Sequence, residues 1–269
     1  MQVPQPGQRV QRAVILAAGR GSRMGALTEA KPKCLVELAG RTVLDWQVQT
    51  LAEAGITETT VVTGYLEHLL RDGRYRTISN ARWAETNMVR SLLCARDLLS
   101  SSPAIVSYAD ILYTPSAVRA LLATQSGIAI AYDTLWEALW RDRFADPLAD
   151  AESFRAQDGW IVDIGRKITR LDDAKGQYMG LLQFRPEGWD AVERFLAGLP
   201  PSTVDRLDMT GMLCQMVSAG ARIAAVPVAG GWCEVDSPSD IALYERRLAE
   251  QARGGRPWNH DWRAGGRPA

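Results

Sequence analysis

The run Ala13-Val14-Ile15-Leu16-Ala17-Ala18-Gly19-Arg20-Gly21-Ser22-Arg23-Met24 constrains this chain more than any other feature. A short apolar stretch enters a loop of small residues that ends in basic ones. Lys31-Pro32-Lys33 then supplies a second basic site about ten positions on. A buried strand that ends this way suits the approach of an anion, because small residues let backbone N–H groups come close while Arg23 and Lys33 bring charge. No Gly-Lys-Ser/Thr follows at the Walker A spacing, and Gly19-Arg20-Gly21 lacks the third glycine of a dinucleotide fingerprint. Taken alone, the loop is equally well a tight turn.

Composition narrows the class. With 269 residues and 46% hydrophobic content, the chain is long enough for one large α/β domain with a buried core. Its 31 basic residues balance 31 acidic ones, so no charge excess points to nucleic acid or a membrane surface as partner. No apolar run approaches the roughly 20 residues that span a bilayer. Met1 to Arg12 is polar and carries nothing a signal peptidase would read, so the expected location is the cytoplasm. Cys34, Cys94, Cys214 and Cys233 show no CxxC spacing, and the histidines are His68 and His260. Zinc and disulfides are therefore not expected, and any metal should be a hard cation held by carboxylates.

From residue 13 onward, strand-like runs (14–18, 60–63, 104–108, 127–131) alternate with helical ones (43–54, 87–99, 115–123). This alternation predicts a mostly parallel sheet with helices on both faces. Ligands then bind at the carboxyl ends of the strands, where both the Gly19 loop and Asp110 fall. Residues 133–175 change character and read as an insertion that shapes a substrate pocket, with 160–164 and 167–171 paired around Gly165-Arg166. A strand over 178–184, helices over 187–197 and 209–219, a strand over 222–228 and a helix over 238–251 complete a domain spanning 13–251. Ser237-Pro238-Ser239-Asp240 starts that last helix, with Ser at the cap, Pro at N1 and an acid at N3. Residues 1–12 form an N-terminal extension and 252–269 a tail. Trp258 and Trp262 in the tail pack either on their own domain or on another subunit, which leaves room for a homodimer.

The loop and the later Pro32-Lys33-Cys34-Leu35 together resemble the L-A-A-G-x-G-[ST]-R-[ML]…P-K-x-L motif of nucleotidyltransferases that make nucleoside-diphosphate sugars and alcohols. The resemblance covers roughly residues 13–250. It implies a Rossmann-like, glycosyltransferase-A-like mixed sheet in which Leu16, Ala17, Ala18, Gly19, Gly21 and Ser22 wrap a nucleotide while Arg23 and Lys33 contact its phosphates. Asp110, after an apolar strand, matches the family's first metal aspartate. Asp236 in Glu234-Val235-Asp236 matches the second, so Mg²⁺ is the expected cofactor. Glu234, two residues from Asp236 on one strand face, is an alternate ligand or an outer partner. A strand-end aspartate is also a common helix cap; Ser237 can cap instead and leave Asp236 available.

Ala84-Glu85-Thr86-Asn87-Met88-Val89-Arg90-Ser91 resembles the [YT]-x-N-N-x-x-S segment of bacterial phosphocholine and 2-aminoethylphosphonate cytidylyltransferases, with Met88 replacing the second asparagine. Asn87 and Ser91 share one side of a helix start and are expected beside cytidine, which makes CTP the nucleotide. Asn87 can equally serve only as a helix cap. The acceptor is then a small phosphorylated or phosphonate compound. Trp136 and Trp140, one helical turn apart, with Tyr178, form either a cation–π cage or core. Gly180 is expected to let substrate approach backbone, and Lys167 to orient the acceptor phosphate. Two rival readings are a sugar-1-phosphate uridylyl- or thymidylyltransferase, and a silent regulatory subunit that only binds nucleotide.

Overall fold

The computed structural model describes residues 12–263. The chain runs β1 (Arg12–Ala17), β2 (Glu37–Leu38), β3 (Arg41–Thr42), α1 (Val43–Glu53), β4 (Glu58–Thr63), β5 (Arg76–Ser79), α2 (Met88–Cys94), α3 (Arg96–Ser101), β6 (Ala104–Tyr108), β7 (Ile111–Tyr113), α4 (Pro115–Ala123) and β8 (Ile128–Asp133). It continues through α5 (Trp136–Arg143), β9 (Glu152–Gln157), β10 (Trp160–Lys167), β11 (Gln177–Phe184), α6 (Pro186–Ala197), α7 (Pro201–Arg206), α8 (Met209–Ser218), β12 (Ala224–Val228), β13 (Trp232–Glu234) and α9 (Pro238–Ala252).

Nine strands build one sheet in the order β5-β4-β1-β6-β11-β8-β12-β10-β9. β5, β4, β1 and β6 are parallel, as are β8 and β12. β11 and β10 run opposite to the other seven strands, so the sheet is mixed but mostly parallel. Along β1, Ala13, Ile15 and Ala17 pack into one core layer and Val14 and Leu16 into the other, as a sheet covered on both faces requires. Leu44 and Leu51 of α1, Val118 of α4, Trp140 of α5 and Leu243 of α9 fill the first layer. Leu92 of α2, Leu99 of α3, Trp189 of α6 and Met212 of α8 fill the second.

Three expectations change. The helix expected over 87–99 is two helices, α2 and α3, separated at Ala95, whose ψ of 13° leaves the helical range. The hairpin expected around Gly165-Arg166 turns instead at Asp158-Gly159, both with positive φ (51° and 78°), and pairs β9 with β10. Asp-Gly is the residue pair that a two-residue hairpin turn of this hand favours. Gly165, with φ of 76°, lies at an irregularity inside β10. Much of the expected insertion thus extends the main sheet as its edge strands.

The last helix starts as its sequence predicts: Ser237 and Asp240 form a reciprocal capping box with Pro238 in the first turn. The tail, as far as residue 263, returns to its own domain. Trp262 is buried and meets Trp46 of α1 edge to face at 6.0 Å. Buried His260 approaches the carbonyl of Trp232 through Nδ1 at 3.1 Å. Residues 1–11 and 264–269 of the expected extension and tail lie outside the described residues. No helix among the described residues is long and apolar enough to cross a membrane.

Candidate active site

β1 delivers its loop to the carboxyl end of the sheet, and the loop turns at Gly21 in the left-handed region (φ 70°). A Cβ at this position would lie 2.7 Å from the side chain of Lys33, so glycine lets the loop close over that lysine. Gly19 is different: a Cβ there would meet no atom within 4 Å, and its surroundings are open space.

Two carboxylates reach the same place from opposite ends of the chain. Asp110 sits in the turn between β6 and β7. The buried Gln47 of α1 holds that turn, its Nε2 facing the carbonyls of Tyr108 (2.6 Å) and Ile111 (2.8 Å) and the Ser107 hydroxyl (3.2 Å). β7 pairs antiparallel with β13, Ile111 opposite Glu234, and the Val235 amide donates to the Asp110 carbonyl at 2.7 Å. This small ladder brings Asp110, Glu234 and Asp236 together, with one carboxylate oxygen from each within 4.8 Å of the others.

Positive charge answers them. Lys33 Nζ donates to Asp110 Oδ2 at 2.7 Å and also to Asp236, and Arg23 Nη1 lies 2.6 Å from Asp236 Oδ2. Burial works against a charged Lys33, but Asp110 and Asp236 more than offset it and raise its pKa. Glu234 is pushed up to about 7, chiefly by burial, with Arg143 pulling the other way. The three carboxylates offer oxygen donors alone, and Asp110 Oδ1 is buried with no hydrogen-bond partner among the described residues. This donor set fits a hard divalent cation. Burial pushes the Cys34 thiol, at the cavity wall, up to about 12, which disfavours its thiolate near neutral pH.

A cavity of about 300 Å³ collects these groups. Its walls include Leu16, Ala17, Ala18, Gly19, Gly21, Ser22 and Arg23 from the loop, Lys33, Asn87 and Ser91 from the start of α2, and Asp110 and Asp236. Every residue expected at the nucleotide and metal positions, the alternate ligand Glu234 apart, lines this one space. Asn87 also caps α2: its side chain accepts from the Met88 amide at 2.8 Å and donates to the Arg206 carbonyl at 3.2 Å. Ser91 is buried and accepts from Asn80 Nδ2 at 3.1 Å. Trp83, Thr86, Met88, Tyr108 and Ala109 add to the walls; Thr86 and Met88 fall in the segment around Asn87, while Trp83 and Tyr108 carry no motif that would single them out.

The residues expected at the acceptor fare differently. Trp136 and Trp140 are core, 3% and 1% exposed, and Trp140 stacks on Trp232 at 5.7 Å. They form no cage at the cavity, because the apolar face of α5 turns toward the sheet. Gly180 is fully enclosed with φ of 72°, and the space its side chain would take belongs to the Tyr108 ring, 2.7 Å away. Its glycine serves packing and not the approach of a ligand. Tyr178 is buried and meets Tyr108 edge to face at 5.8 Å, one residue removed from the cavity. Lys167 is exposed at the end of β10 and lines a separate hollow with Arg155, Arg166 and Lys175. Glu234, expected as an alternate ligand or outer partner, joins the acidic cluster.

The MobA-like NTP transferase domain matches residues 13–164. The chain belongs to this family. It is a nucleotidyltransferase. The CTP:phosphoglutamine cytidylyltransferase of Campylobacter jejuni is 35% identical over 247 residues, 86% of this chain and 98% of that one. The choline-phosphate cytidylyltransferase of Streptococcus pneumoniae is 33% identical over 63% of this chain and 80% of its own length. Among solved structures, the inositol-1-phosphate CTP transferase of T. maritima superposes with a TM-score of 0.69 at 19% identity, covering 93% of this chain and 99% of that one.

Proposed function

We propose that this nucleotidyltransferase is a Mg²⁺-dependent cytidylyltransferase that joins CTP to a small phosphorylated or phosphonate compound and releases pyrophosphate. The observation that carries the reading is the convergence of the β1 loop, Lys33, Asn87, Ser91, Asp110 and Asp236 on one cavity. A phosphate oxygen of the acceptor forms a bond to the α-phosphorus of CTP, and the bond from that phosphorus to the bridging oxygen breaks. The electron pair leaves with pyrophosphate. Both partners are anions that repel each other, so the residues must align them and neutralise charge.

Arg23 and Lys33 bring fixed positive charge to the triphosphate, and the small residues of the β1 loop admit it to backbone N–H groups. Asn87 and Ser91 lie beside the base. Mg²⁺, bound by Asp110 and Asp236 with Glu234 next to them, would supply further charge neutralisation at the phosphates. For the acceptor, the relative that spans nearly its whole length with this chain carries phosphoglutamine in its name. The burial of Trp136 and Trp140 removes the expected aromatic contact for choline. A phosphorylated amide or amine of the glutamine type therefore heads the acceptors to test.

The test is pyrophosphate release with Mg²⁺, crossing CTP, UTP and dTTP against phosphoglutamine, phosphocholine, 2-aminoethylphosphonate and glucose-1-phosphate. Turnover confined to CTP is expected, falling at least about 100-fold in Asp110→Ala. Turnover with UTP or dTTP and the sugar phosphate, or near-normal rates in Asp110→Ala, overturns the reading.

A further inference from the structure

One buried cation among the described residues is left without a part in the chemistry above. Arg143 ends α5, and its side chain is 1% exposed. The guanidinium lies 4.9 Å from the centre of the Trp140 ring and 4.9 Å from that of Phe144. Its nitrogens are spent on two carboxylates. Nη1 donates to Glu234 Oε2 at 3.1 Å, while Nε and Nη2 donate to the two oxygens of Asp240 at 2.9 and 3.3 Å. Asp240 in turn accepts from the backbone amides of Asp236 (2.9 Å) and Ser237 (2.8 Å). A single planar fork thus grips the acid two residues before Asp236 and the acid that fixes the backbone of Asp236 itself.

We infer that Arg143 is a positioning residue for the metal-binding carboxylates. It presets Glu234 and Asp236 against their mutual repulsion, so that the oxygens of the acidic cluster converge before a cation arrives. The planar guanidinium is suited to the task and an ammonium is not, since only the former bonds one carboxylate through two parallel donors and a second carboxylate beside it. The aromatic rings of Trp140 and Phe144 limit where the fork can swing. Through Arg143, the 134–150 segment reaches the metal site by way of Glu234 and Asp240. This inference rests on the reading of Asp110, Glu234 and Asp236 as cation ligands.

Removing a group that orients a metal ligand typically weakens metal affinity about 10- to 100-fold. The measurement is Mn²⁺ binding to the full chain without nucleotide, read as free Mn²⁺ by electron paramagnetic resonance, for wild type, Arg143→Lys and Asp240→Asn. Arg143→Lys keeps the charge and is expected to weaken Mn²⁺ binding at least about 10-fold. Asp240→Asn breaks the same fork from its other side and is expected to weaken binding in the same direction; if Arg143→Lys does not fold, Asp240→Asn alone decides the outcome. Wild-type affinity in the folded variants, with a lowered melting temperature only, overturns the positioning role and leaves the metal site standing. No Mn²⁺ binding by the wild type overturns both together.

Discussion

At the scale of single residues, Gly19 and Gly21 of the β1 loop differ in what holds them. Gly21 combines a left-handed backbone with a side-chain position already filled by Lys33. Gly21→Ala therefore meets roughly 1–2 kcal/mol of backbone strain and displaces the lysine that bridges Asp110 and Asp236. A lower melting temperature and a fall in turnover of about tenfold or more are expected, read by calorimetry and pyrophosphate release. Gly19→Ala builds into open space and should leave the melting temperature where it is. Equal melting temperatures for the two variants would refute this distinction. Residues with such roles are legible in the sequence wherever local chemistry alone dictates them: Gly21, Lys33, Asp110 and Asp236 all lie at the cavity. Trp136 and Trp140 are not, because helical spacing puts two aromatics on one face without saying whether that face meets ligand or sheet.

Among the elements, the strand–helix alternation is legible because a strand buried on both faces and an amphipathic helix differ in period. The β9–β10 hairpin is legible too, through Asp158-Gly159; the competing Gly165-Arg166 signal marks an irregularity inside β10 instead of a turn. The pairing of β7 with β13 carries no sequence signal at all: each is three residues long, too short to show a period. Gln47 belongs to the same unread layer. From α1 it clamps the turn that presents Asp110, and Gln47→Leu removes a donor from both buried carbonyls, leaving the Ser107 hydroxyl on that of Tyr108. A loss of about 1–3 kcal/mol is expected. With Asp110 unanchored, kcat should fall while the nucleotide KM changes little; unchanged kcat would show that the turn holds itself.

For the whole molecule, buried carboxyls link stability to pH, and Glu152 is one of them. Burial first, and then the charges of Asp208 and Asp150, push Glu152 from its ordinary 4.5 up to about 6. Between these values the folded chain holds a proton that the unfolded chain has released. Stability from this group is complete below the lower value and is lost as pH rises through the upper one. Glu152→Gln cannot ionise and escapes that loss. Its melting temperature relative to wild type should therefore rise between about pH 4 and about pH 7.5. A difference that stays constant over this range would remove Glu152 from the pH response.

Lys33 meets Asp236 across 203 positions of chain, and that distance sets a calendar for the enzyme. A polypeptide that stops short of β13 already owns the β1 loop, the lysine and Asp110, yet lacks Glu234 and Asp236. The acidic cluster can therefore close only after β13 has been made and has paired beside β7, so two of its carboxylates come from a part of the chain made long after the loop and the lysine.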